Sequence, residues 1–195
     1  MAITTEQIKE LRDATKVSVM QCKKALEEAG GDIEKAKIIL RKISAATASK
    51  KSDRTLGAGC VATYVHGGSR IASMVELLCE TDFVSKGADF QSLAKEIAMQ
   101  IAATNPEFVK PEDIKEEDKA KATELFSKEA EGKPADVKAK IVAGKLDAYL
   151  SEKTLLNQPY IKNPDITIKG LIDESIQKFG EKIEVGRIAR FSVLE

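Results

Sequence analysis

Apolar positions spaced three, four and seven apart open the chain. Ile8 and Leu11 follow Thr4-Thr5-Glu6-Gln7, a capping box in which a hydroxyl and an amide side chain satisfy free N–H groups at a helix start. Ser18-Val19-Met20-Gln21 repeats that signature ahead of Cys22, Ala25, Leu26 and Ala29, and Gly30-Gly31 supplies a stop. Asp32 is placed to cap a third helix with Ile33, Ala36, Ile39, Leu40 and Ile43 on one side. Residues 1–43 therefore predict three short helices that close a core only by packing together.

The periodicity lapses from Ser44 to Ala58. This stretch is small, polar and basic, and reads as a linker with residual helix. Within 41–54, Arg41, Lys42, Lys50, Lys51 and Arg54 stand against Asp53, a net +4 that suits either a solvated linker or a surface for an acidic partner. A period of two then takes over. Cys60–Val65 and Arg70–Cys79 flank His66-Gly67-Gly68-Ser69, which predicts a hairpin turning at Gly67-Gly68. Both faces of the hairpin are apolar, so helices or a partner should cover much of it. Phe90, Leu93, Ile97 and Ile101 return to a helical stripe that Asn105-Pro106 ends. The segments on either side of Gly132-Lys133-Pro134 predict a protruding antiparallel helical pair over about 111–151. Ile168, Leu171, Ile172, Ile176 and Phe179 form a last helix stopped by Gly180. Ile183, Val185, Ala189, Phe191 and Val193 then alternate as a strand that joins the hairpin. The expected class is α+β. A three-helix domain (1–43) and a basic linker (44–58) precede a core (59–195) with a small antiparallel three-stranded sheet packed with helices.

Composition narrows the function. Apolar residues make up 43% of the 195 and charged residues 32%, with a formal net charge of +0. That balance fits a globular chain and argues against a general nucleic-acid binder. No apolar run approaches the ~18 residues that span a bilayer, and Met1–Glu6 lacks a secretion-signal pattern, so a cytoplasmic location is expected. Structural zinc would need Cys22, Cys60 and Cys79 plus His66 from distant elements, so reduced, buried thiols and no metal or cofactor are expected. His66 flanks a Gly-Gly turn and reads as an exposed turn residue rather than a catalytic base. A cysteine-dependent enzyme needs a thiol desolvated near a base, and neither Cys60 nor Cys79 opens a helix. No phosphate loop, dinucleotide fingerprint or metalloprotease motif is present.

Leu77-Leu78-Cys79-Glu80-Thr81-Asp82-Phe83-Val84 remains. An apolar strand pattern runs into Thr-Asp-Phe and helical character resumes at once. A carboxylate and a large ring are thereby set side by side at the tip of a rigid element. The residues alone leave two readings open. In one, Thr81 or Asp82 caps the next helix and Phe83 packs inward. In the other, Asp82 and Phe83 face outward as a wedge, and burying the ring in a partner contributes roughly 1.5–3 kcal/mol.

The ordered set Leu11-Arg12-Asp13-Ala14-Thr15, Cys22-Lys23-Lys24-Ala25-Leu26, Gly31–Ala36, Val75–Val84 and Leu155–Asn163 resembles the bacterial elongation factor Ts family in its short form. That family comprises the guanine-nucleotide exchange factors of elongation factor Tu, and the resemblance covers nearly the whole chain. It favours the wedge. It implies that Thr81, Asp82, Phe83 and Val84 enter Tu and disturb its Mg²⁺ and phosphate site, so that GDP leaves. It also implies that residues 1–43 form a ubiquitin-associated-like domain docking on the nucleotide-binding domain of Tu, with Leu11, Val19, Met20 and Cys22 as docking candidates. The partner is then Tu, GDP-bound or nucleotide-free, with no nucleic acid, membrane or catalytic residue involved. One copy of the sheet-bearing core implies a homodimer, non-covalent because the final strand has no cysteine. The chain departs from the family's Thr-Gly-x-Gly with Thr15-Lys16-Val17-Ser18, where lysine resists the positive φ that glycine accepts. Val17, Val19 and Met20 there serve either the core or docking. A helical protein-interaction module without exchange activity is the competing reading.

Overall fold

The computed structural model describes residues 3–193. In chain order the elements are α1 (Thr5–Thr15), α2 (Val19–Glu28), α3 (Ile33–Ser49), β1 (Ala58–His66), β2 (Ile71–Cys79), α4 (Asp82–Ser85) and α5 (Ala88–Thr104). They continue with α6 (Glu116–Glu129), α7 (Ala135–Lys153), β3 (Pro159–Tyr160), β4 (Asn163–Thr167), α8 (Ile168–Phe179) and β5 (Ile183–Ser192). A three-stranded sheet has the order β1-β2-β5, and β3 pairs with β4 in a separate antiparallel hairpin. The chain divides into two compact units, Met1–Ala62 with Glu76–Ala94 and Lys169–Val185, and Thr63–Val75 with Lys95–Ile168 and Gly186–Glu195.

In the first unit the three N-terminal helices close on Leu11, Val17, Cys22, Leu26, Ala36 and Leu40. Thr4 caps α1 through the expected box, its hydroxyl accepting from the Gln7 N–H while the Gln7 side chain accepts from the Thr4 N–H. The end of α2 is a Schellman closure: the Gly31 N–H donates to the Leu26 carbonyl at 2.8 Å and the Gly30 N–H to that of Glu27 at 3.2 Å. Both glycines have positive φ, which such a closure favours.

The segment expected as a linker is built differently. α3 runs on to Ser49, because Ala45, Ala46 and Ala48 favour helix and the Ser44 and Thr47 hydroxyls donate to the Leu40 and Ile43 carbonyls. This extension has something to hold. Ser44 meets the Gln177 side chain of α8, Arg41 pairs with Glu174 at 3.9 Å, and the Lys51 ammonium donates to the Gly180 carbonyl at 2.7 Å. Small polar residues therefore mark a helix–helix joint here.

The second unit contains a feature the sequence pattern did not reveal, the β3–β4 hairpin. It is tied to α5 by Gln100, whose amide donates to Gln158 Oε1 and the Pro159 carbonyl at 3.1 Å and accepts from the Ile161 N–H at 2.9 Å. The Tyr160 hydroxyl donates to Glu96. The helical pair forms as expected: Phe126 meets Tyr149 edge to face and Lys145 pairs with Glu129 at 2.6 Å. The sheet hairpin turns through Gly67–Arg70 rather than Gly67-Gly68 alone, with Gly67, Gly68 and Ser69 all at positive φ. Along β5 the burial pattern changes phase. Ile183 and Val185 are buried, Gly186 and Arg187 are both exposed, and Phe191 then points to water. The alternation from Ile183 to Val193 expected of a single face is thereby broken.

Lys16 takes the conformation that its side chain disfavours. Its φ of 57° lies in the left-handed region, and its N–H closes α1 on the Arg12 carbonyl at 2.7 Å. Lys16→Gly should therefore raise stability by about 1 kcal/mol in urea unfolding. A loss of stability would show that the lysine side chain contributes more than its backbone strain costs.

Candidate functional site

β2 ends at the buried Cys79, and α4 begins three residues later. Val84 and Ser85 anchor this short helix in the interior, with Val84 only 8% exposed. The Ser85 N–H donates to the Thr81 carbonyl at 3.2 Å, and the Cys79 thiol donates to the same oxygen at 3.2 Å. The backbone on either side of Asp82-Phe83 is therefore fixed. The two side chains between those anchors are not buried at all.

Phe83 is 86% exposed, the most exposed of the large hydrophobic side chains among the described residues. The inward reading is thus overturned, since burial there is supplied by Val84 one residue on. The ring lines a groove of about 460 Å³ together with Val84, Lys86, Gly87, Ala88, Asp89 and Phe179. Asp82 is likewise in water and pairs with Lys86 at 2.6 Å. The Lys86 ammonium holds this carboxyl below the usual carboxylate range, so Asp82 is charged at neutral pH. Thr81 occupies the N-cap position but makes no capping bond, and its hydroxyl turns to Glu181 instead. The expected capping role of Thr81 or Asp82 is therefore not used. The spacing from Asp82 to Lys86 could have revealed their pairing, whereas Phe179 comes from α8 with no local signal.

The four docking candidates of the helical domain separate cleanly. Val19 and Met20 are exposed, Met20 to 77%, and stand in water at the start of α2. Leu11 and Cys22 are wholly buried beside Val17 in the helical core. They are corrected to packing residues, because they offer a partner no surface.

Among the described residues no three His, Cys, Asp or Glu side chains gather as metal ligands, and no helix is long and apolar enough to cross a membrane. The three thiols are free, and desolvation pushes each of them up from its ordinary value. That is the opposite of what a cysteine nucleophile needs. The folded protein should react with a thiol-specific disulfide reagent more slowly than free cysteine at all three positions, and with three equivalents once unfolded in guanidinium. A native thiol that outpaces free cysteine would revive the enzyme reading.

The family model described as elongation factor TS matches residues 2–195. The chain is 50% identical to the elongation factor Ts of Carboxydothermus hydrogenoformans over 195 residues, covering 99% of this chain and 90% of that one. It is 49% identical to that of Thermodesulfovibrio yellowstonii over 194 residues, covering 99% and 97%. Against that of Heliobacterium modesticaldum it is 46% identical over 195 residues, covering 99% and 91%. The chain, matched over residues 2–195, thus belongs to the elongation factor Ts family of translation elongation factors.

Proposed function

We propose that this chain releases GDP from elongation factor Tu by inserting the Asp82–Phe83 tip into it and disturbing its Mg²⁺ and phosphate site. The observation that carries the reading is the Phe83 ring, 86% exposed on a backbone fixed at both ends. A ring in water gains roughly 1.5–3 kcal/mol on entering an apolar slot, and that gain can drive apart elements of the partner. Thr81 and Val84 set the aim, one through its backbone and one through its buried side chain. Mg²⁺ tolerates little departure from octahedral geometry, so a small shift of its surroundings in Tu weakens GDP. By linkage, GDP or GTP weakens the grip of the factor in the same ratio, which lets the factor turn over. The nucleotide is left chemically unchanged.

The three-helix domain (1–43), ubiquitin-associated-like in this reading, holds Tu through the exposed Val19 and Met20. A non-covalent homodimer completes the reading. Its support is the exposed apolar set on the sheet of the second unit, where Val65, Met74 and Phe191 stand in water on β1, β2 and β5.

Three outcomes test these statements. Phe83→Ala should slow release of fluorescent GDP from Tu by about tenfold or more, while unfolding free energy changes by no more than about 0.5 kcal/mol. Val84→Ala should instead cost about 1–3 kcal/mol of stability through its buried methyl groups. Exchange untouched by Phe83→Ala would contradict the wedge. Sedimentation should give twice the chain mass for the native protein and the single mass for Phe191→Asp; a native monomer would contradict the dimer.

A further inference from the structure

Asp82 and Phe83 make few contacts of their own, so their aim comes from the backbone beneath them. That backbone is held by a chain segment a hundred positions away. The Glu181 carboxylate accepts from the Thr81 N–H at 3.0 Å and the Glu80 N–H at 3.1 Å on one oxygen, and from the Thr81 hydroxyl at 2.5 Å on the other. The hold is reciprocal: the Glu80 carboxylate accepts from the Lys182 N–H at 2.6 Å. Arg54 donates to both oxygens of Glu80 at 3.1 and 3.4 Å. Lys51 fixes the preceding carbonyl, that of Gly180. Lys51 and Arg54, from the basic patch that suited either a solvated linker or a surface for an acidic partner, are thus engaged inside the molecule, as Arg41 is.

Resting on the exchange reading above, we propose that Glu181 is a positioning residue for nucleotide exchange, its carboxylate clamping the backbone from which Asp82 and Phe83 project. A structural bond alone would not require this arrangement. A local cap from the Thr81 hydroxyl would satisfy the start of α4 and leave the helix free to pivot on the end of β2. The hydroxyl is instead given to a residue of the α8–β5 connection, which ties α4 to a second element. Bonds to a carboxylate are charge-assisted, and two backbone N–H groups with one hydroxyl on the same carboxylate leave little room for rotation. A tip that must enter a narrow slot loses rate rather than stability when its direction is blurred, because orientation is prepaid by the fold.

The test compares Glu181→Ala, Glu181→Gln and Phe83→Ala, each in the full chain and each folded by circular dichroism at the assay temperature. Release of fluorescent GDP from Tu is followed against factor concentration, and hydrogen exchange is read at the Glu80 and Thr81 amides. Glu181→Ala should lower the maximal release rate about tenfold and change the half-saturating concentration less than about twofold, since the helical domain still docks. The two amides should exchange at least about tenfold faster in Glu181→Ala than in the wild type. Glu181→Gln, which keeps an acceptor oxygen, should recover most of the rate. A wild-type maximal rate in Glu181→Ala beside a slow Phe83→Ala overturns the clamp and leaves the wedge standing. A wild-type rate in Phe83→Ala overturns the wedge itself. If Glu181→Ala does not fold, Glu181→Asp, whose carboxylate falls one methylene short of the Glu80 and Thr81 N–H groups, takes its place. A wild-type maximal rate and wild-type amide protection in Glu181→Asp then overturn the proposal.

Discussion

A phenylalanine ring held in water is unfavourable for an isolated chain, and everything around Phe83 acts to keep it there. Its neighbour Val84 takes the interior position that a ring would otherwise claim. Cys79 and Ser85 close on one carbonyl, that of Thr81. The exposure is thus imposed by the fold on a residue whose own preference is burial. That imposed preference is the driving force available to a partner with a slot of the right shape.

Under the proposed exchange reading, two parts of the first unit divide the work that a wedge requires. A wedge without a handle would bind weakly, since a single ring and a carboxylate offer little area. The N-terminal helices supply a separate exposed apolar pair, Val19 and Met20, on a domain whose own core is complete without them. α3 meets α8 through Ser44 and Arg41, Lys51 just past α3 holds the Gly180 carbonyl just past α8, and Glu181 follows. In the proposed reading, handle and tip would then be joined through these contacts rather than by a flexible linker. Burial pushes the Glu174 carboxyl on that path up from its ordinary value, with Arg41 opposing the shift.

Local chemistry was legible in the sequence and long-range chemistry was not. The capping box at Thr4, the Gly30-Gly31 closure and the α5 stripe each depend on residues within a few positions, and they were read correctly from spacing. Residual helix was expected from Ser44 onward, but its anchoring was not, because composition cannot show the Gln177 side chain that meets Ser44. The β3–β4 hairpin was missed because its anchor, Gln100, sits on a helix sixty positions earlier. At the wedge, spacing gave the residues but left their direction open, and only the family resemblance favoured outward. Leu11 and Cys22 show the converse error. A matched motif marks both core and surface positions, and burial is needed to tell them apart.

The central claim is that the ring leaves water for the interior of Tu, and it can be watched at the ring itself. With 4-fluorophenylalanine placed at position 83 alone, the fluorine resonance of the free protein should show the solvent-isotope shift of a water-exposed ring. On adding nucleotide-free Tu that shift should vanish, and excess GDP should restore it, as reciprocal linkage demands. A resonance that stays solvent-exposed in a complex shown to have formed would contradict the account.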